Sequence, residues 1–145
     1  DVSVCSTVIN EVKFYRKGGN KVAIDFRKGY VESGSVKEFA ASIEELDDIL
    51  SRLTPIQLET IHSGELESLA VLAREEKMTF CSCDAATIRA LPFIDLSDRG
   101  ISVEGLLRQA GLLKSTLEDK HKGEYFKNNL AIGQKEKIYS FGKKK

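Results

Sequence analysis

The sequence predicts an α/β fold in which helices are layered on a mostly parallel sheet. Short runs at 2–5 (VSVC), 78–83 (MTFCSC) and 92–96 (PFIDL) have the apolar, β-favouring character of covered strands. Between them lie segments with apolar residues at helical spacing, at 42–53, 64–76 and 103–110. No repeat or low-complexity block interrupts this alternation of strand and helix, which is the pattern of a layered fold with parallel strands.

Taken in order, VSVC is a strand that runs into a helix, because Ser6 and Thr7 can accept the free backbone N–H groups of a first turn. That helix carries Val8, Ile9, Val12 and Tyr15 on one side and is expected to end at Gly18-Gly19. KVAID alternates, and FRKGYVES is punctuated by glycines, so 20–34 reads as a small hairpin or an irregular excursion. A helix returns at 42–53 behind Ser42 with Ile43, Leu46, Ile49, Leu50 and Leu53 in register. Pro55 opens a short helix, TPIQLETIH, since a first turn tolerates proline. Leu66, Leu69, Ala70 and Ala73 form the stripe of the 64–76 helix. After MTFCSC, Asp84 begins the helix DAATIRAL, and PFIDL is expected to be extended. Ser97-Asp98-Arg99-Gly100 is a turn, a helix follows from about Val103 to Ala110, and Tyr125, Phe126 and Leu130 mark one more amphipathic candidate. Residues 133–145, ending in Lys143-Lys144-Lys145, are a candidate basic, disordered tail.

At 145 residues with 41% apolar content, one core and one domain are expected over 1–145. Lysine plus arginine and aspartate plus glutamate both number 22, so no global field draws the chain to nucleic acid or an anionic membrane. Any polyanion must be met by a local patch. The apolar runs fall far short of the roughly 20 residues a bilayer-spanning helix needs, and no signal-peptide pattern opens the chain, so a cytoplasmic protein without membrane partners is expected. Cys5, Cys81 and Cys83 are an odd number of thiols in apolar surroundings, which suggests reduced, packed cysteines. Neither His62 nor His121 is spaced from them as a zinc finger requires.

In a parallel α/β sheet, ligands collect at the carboxyl ends of strands, where helices begin. Asp84 ends a strand, Glu65 opens a helix, and Glu11 lies in the helix after the first strand. Three carboxylates drawn to one rim repel one another unless a cation joins them, and the matching occupant is a hard divalent ion, Mg²⁺ or Mn²⁺. Such an ion orients a water, lowers its pKa and steadies charge on a phosphate under attack.

The run GELESLAVLAREEKMTFCSCDAATIRAL resembles the second half of a PIN domain, the metal-dependent ribonuclease fold of many toxins in toxin–antitoxin pairs. In one branch of that family a Gly-Glu pair opens an E-x-E-x-x-A helix, a short strand follows, and an aspartate introduces an alanine-rich A-x-x-R helix. Glu65 and Asp84 match the two acids, and Ser82 falls where the family often has a hydroxyl. VSVCSTVINEV is similar to the strand, turn and helix whose glutamate is another site acid, which maps to Glu11; RGISVEGLLRQAGL resembles the closing strand and helix. The likeness covers most of 2–113, without a counterpart for about 18–40. It implies a three-layer α/β/α sandwich and a metal site of Glu11, Glu65 and Asp84, with Ser82 orienting a carboxylate or water. RNA is the implied substrate, and an antitoxin or a second copy the implied protein partner. The family's first strand carries an aspartate, usually in Asp-Thr-Asn or Asp-Thr-Ser, some tens of residues before the glutamate matched by Glu11. This sequence starts too late to hold it, and Asp1-Val2-Ser3 copies the motif only superficially. A shortened or divergent member is therefore expected, either a ribonuclease completed by a further acid or an inactive PIN-like module that binds RNA or protein.

Each of these residues also has a plainer role. Asp84 can serve as an N-cap, worth about 1 kcal/mol. Glu65 and Glu67 complement a positive helix end, Glu67 being expected in solvent, and Glu11 suits an ordinary surface position. His62 reads as a helix-end histidine, and neither Cys81 nor Cys83 has a partner for thiol catalysis. Arg89 faces either a phosphate or water, and Lys135, Lys137 and the terminal lysines belong to a solvated end.

Overall fold

The computed structural model describes residues 1–113 and 115–142, and its first elements are the strand β1 (Val2–Cys5) and the helix α1 (Ser6–Glu11). Neither Ser6 nor Thr7 caps α1 as expected. Ser6 Oγ instead donates to Glu38 Oε1 at 2.8 Å and to the Phe39 carbonyl at 3.2 Å, and the Thr7 N–H donates to Glu67 Oε2 at 2.9 Å. A carboxylate distant in sequence thus does the work of a local cap. The helix stops at Val12, whose backbone is extended, and does not reach Gly18-Gly19.

Those glycines turn a hairpin. β2 (Phe14–Lys17) pairs antiparallel with β3 (Asn20–Ala23) around Gly18 and Gly19, at φ 56° and 83°. Two successive positive φ values give the turn whose twist matches that of the flanking strands, and only glycine adopts both without strain. Tyr15 therefore belongs to a strand, where aromatic residues fit a pleated surface. KVAID pairs backward with FYRK rather than forward with FRKGYVES, whose Arg27–Val31 segment forms a single π-helical turn instead of an extended piece. β4 (Val36–Phe39) then lies parallel to β1, with Val2 opposite Val36 and Cys5 opposite Phe39.

The middle of the chain follows its local signals. α2 (Ile43–Arg52) starts in a capping box of Ser42 and Glu45, and α3 (Pro55–Thr60) in one of Thr54 and Gln57. α4 (Ser63–Arg74), β5 (Phe80–Cys81) and α5 (Ala85–Ala90) come next. PFIDL is not extended: Leu91–Ile94 is a buried 3₁₀ turn closed by Asp95 at φ 61°. Pro92 fits a helical start, and four apolar residues without a strand partner fill core space better coiled than extended. β6 (Gly100–Ile101) pairs parallel with β5, α6 (Val103–Gln109) follows, and α7 (Gly123–Gly142) carries residues 133–142 of the expected tail as helix. Lys143-Lys144-Lys145 lie outside the described residues.

Among the described residues the strands form three two-stranded pairs, β1–β4 and β5–β6 parallel and β2–β3 antiparallel, in place of one mostly parallel sheet. The core is largely helical. α4 is its axis, touching α1, α2, β1 and β5, with Leu69 fully enclosed beside Ile88 and Leu91. Each such side chain contributes about 1.5–3 kcal/mol by leaving water. α7 closes on α5 where Gly133 meets the Arg89 backbone, a position at which any Cβ would collide. Arg99 ties the exit of α4 to the start of β6 by donating to the Glu75 and Met78 carbonyls. No helix among the described residues is long and apolar enough to cross a membrane.

Candidate functional site

α1 and α4 meet at Gly64. A Cβ there would lie 2.9 Å from Val8 Cγ2, so the absence of a side chain lets the start of α4 close on α1. The contact places the helix ending in Glu11 beside the turn that carries Glu65. Glu11 is exposed, and Glu65 is half-buried with Oε2 accepting the His62 N–H at 3.0 Å. His62 itself is an exposed helix-end residue.

The second cluster lies at the junction of β5 and α5. Asp84 is the N-cap of α5, its Oδ1 accepting from the Thr87 N–H at 2.8 Å and from Thr87 Oγ1 at 2.9 Å. Ser82 Oγ accepts the Asp84 N–H at 3.1 Å, so the hydroxyl holds the backbone of the residue whose carboxylate it was expected to orient. Ser82 and Asp84 are thus joined, and Glu11 and Glu65 sit on adjoining elements. No hydrogen bond links the two groups, and among the described residues no three His, Cys, Asp or Glu side chains gather closely enough to hold a metal ion. A depression of about 440 Å³ between α6 and α7 and another of about 560 Å³ beside Pro92 and Lys137 are lined by none of these four residues.

Glu11, Glu65 and Asp84 nevertheless share one property. Among the described residues none forms an ion pair with a lysine or arginine, while Glu65 Oε1 and Asp84 Oδ2 accept no hydrogen bond. Each has at least one carboxylate oxygen that accepts no hydrogen bond among the described residues. Several other acids, such as Glu32, Glu59 and Asp98, also form no ion pair among the described residues, whereas Glu38 is gripped by Arg27 and Ser6, which hold its carboxyl below the usual range, and Lys137 does the same to Asp95.

Glu67 was expected in solvent and is buried. Its two oxygens accept from the Thr7 and Ala41 N–H groups, at 2.9 and 3.4 Å, binding α4 to the ends of β1 and β4. Helical spacing sets Glu67 roughly 100° away from the stripe of Leu66, Leu69, Ala70 and Ala73, so periodicity carried no signal of its burial. Arg89 donates through Nε to Asn129 Oδ1 on α7 and so belongs to a helix contact. Burial raises the pKa of Cys5 and of Cys81, whose thiols are therefore poorly suited to act as nucleophiles. Comparison of the chain with protein-family models, with curated proteins and with solved structures finds no match.

Proposed function

We propose that the chain is a PIN-type ribonuclease domain in which Glu11, Glu65 and Asp84 hold Mg²⁺ or Mn²⁺. The observation that carries this reading is the set of three carboxylates, Glu65 in the first turn of α4, Asp84 at the N-cap of α5 after β5, and Glu11 at the end of α1, which packs on the start of α4, none of them neutralised by a lysine or arginine among the described residues. An all-oxygen, anionic donor set fits a hard divalent ion. When bound, that ion supplies Lewis acidity toward a water and a phosphodiester. Ser82 fixes the backbone of Asp84, and the Thr87 bonds hold one of its oxygens, leaving Oδ2 to the metal.

The three-layer sandwich belongs to the same reading. α4 touches both β1 and β5, and in this reading the pairs β1–β4 and β5–β6, which are separate two-stranded pairs in the structure, count as parts of one layer on that helix. An antitoxin or a second copy of the chain is a partner on the strength of the resemblance alone.

A second reading, an inactive PIN-like binding module, is favoured by the cap bonds already made by Glu65 and Asp84 and by the separation of the acids into two groups. RNA cleavage with added Mn²⁺ separates the two. The nuclease reading expects cutting that chelator abolishes and that Glu65→Gln and Asp84→Asn each reduce at least a hundredfold. RNA binding without metal-dependent cutting by the intact gene product supports the binding module instead.

A further inference from the structure

The hairpin of β2 and β3 concentrates charge that the rest of the molecule does not balance. Lys13, Arg16, Lys17 and Lys21 fall between Glu11 and Asp25 with no acid among them, in a chain whose formal charge is zero, so the remainder is net acidic. None of the four forms an ion pair among the described residues, whereas Arg27, just beyond, is taken up by Glu38. β2 is exposed along its whole length, and the ribbon makes its principal contacts only within itself. Its ladder continues to Ile24, which donates to the Lys13 carbonyl at 3.0 Å.

Register sorts these side chains. Arg16 is directly opposite Lys21, and Phe14 is opposite Ala23, so one face carries a ring and two cations, with Lys21 Nζ 4.3 Å from the centre of the Phe14 ring. Tyr15 opposite Val22 and Lys17 opposite Asn20 give the other face a ring and one cation. Like charges directly opposite in a two-stranded ribbon destabilise it. An arginine facing a lysine with no acid nearby is therefore a local cost that a bound polyanion would remove. Phe14 and Tyr15 are 44% and 47% exposed, far more than burial in a core would leave.

We infer that this hairpin is a binding arm for single-stranded nucleic acid, its cations meeting phosphates and its rings stacking on bases. The combination of a cationic surface with accessible rings is what sequence-tolerant recognition of single strands requires. An anionic bilayer fits less well. The tip, Lys17-Gly18-Gly19-Asn20, is polar, and the rings sit at the base of the ribbon, so no apolar face is presented for insertion. The arm begins three residues after Glu11, so a strand held on it runs close to that candidate acid. Taking RNA as the natural strand rests on the nuclease reading; the binding surface does not.

The test measures anisotropy of a labelled 12-nucleotide single-stranded RNA with the full chain across a salt series. Arg16→Thr/Lys21→Thr keeps strand-favouring residues and removes the like-charge pair, so the fold is retained. It should weaken binding at least tenfold and reduce the salt slope by about 1.4, two phosphate contacts at roughly 0.7 each. Phe14→Ser should weaken binding about fivefold or more through lost stacking. Lys127→Ser/Lys135→Ser, with the same charge change on α7, should leave affinity within twofold. Unchanged binding and slope in the hairpin variants, absence of RNA binding by the parent chain, or preference for phosphatidylserine vesicles over RNA overturns the inference. Cleavage of the same RNA with added Mn²⁺ is measured alongside on the parent chain and the hairpin variants. Binding through the hairpin without any cleavage would end the nuclease reading and leave this one standing; cleavage with hairpin variants that bind normally would do the reverse.

Discussion

Glu67 shows how much a single carboxylate can organise. It is 8% exposed, and its oxygens satisfy the Thr7 and Ala41 N–H groups, which otherwise have no partner at the ends of β1 and β4. Glu67→Ala removes the acceptor of two half-buried donors and should lower stability by about 1–2 kcal/mol, since water can replace only part of what they lose. Glu67→Gln retains one acceptor and should lose about 1 kcal/mol. Urea denaturation of the two variants checks the order; equal, negligible losses would mean the carboxylate does not hold those N–H groups. Gly64 is the complementary case at this scale. Its Gly-Glu setting was legible as a motif, but its physical role, letting α4 approach Val8, follows from a contact between residues 56 positions apart.

Among the elements, α5 separates a cap from a ligand. Asn caps a helix about as well as Asp, whereas Ala loses about 1 kcal/mol. Thermal unfolding should therefore place Asp84→Asn near the parent and Asp84→Ala below it, and a deficit in metal-dependent cutting by the Asn variant reports on something other than the cap. Equal destabilisation by both would point to a purely charge-dependent structural role. The π-helical turn is tied to β4 by Arg27 and Glu38, and the ion pair and the Ser6 hydroxyl hold the Glu38 carboxyl below its ordinary value of 4.5. Because the folded pKa is depressed, this tie is complete above the unfolded value and is lost as pH falls through the folded one. An NMR titration should place the Glu38 midpoint below the ordinary carboxylate value and raise it in Arg27→Gln; an unchanged midpoint would remove the tie.

A cap signal at Ser42, a proline tolerated in a first turn at Pro55 and the periodic stripes made α2, α3, α4 and α6 readable, because their information is local. The hairpin was misread where two local signals compete. Val8, Ile9, Val12 and Tyr15 fit a helix face, and Gly18-Gly19 serves equally as a helix stop or a hairpin turn; only the pairing of Phe14–Lys17 with Asn20–Ala23 decides between them. PFIDL failed for a related reason, since an apolar run without a partner strand coils into the core.

At the scale of the whole molecule, a largely helical core holds two parallel strand pairs along α4 and carries an exposed, cationic ribbon directly after Glu11. The placement of Glu65 at a helix start and of Asp84 after a strand was legible from the chain, whereas Glu11, expected in mid-helix, ends α1. Their division into a Glu11–Glu65 side and a Ser82–Asp84 side was not, because it depends on how α1, α4 and β5 pack. The reading that unites them is that one divalent ion draws both sides together. Calorimetric titration of the 145-residue chain with Mn²⁺ tests it most directly. One ion per chain, with affinity lowered at least tenfold by each of Glu11→Gln, Glu65→Gln and Asp84→Asn while the melting temperature without metal stays within a few degrees, is the predicted result. Manganese affinity that is the same in all three variants as in the parent would contradict it.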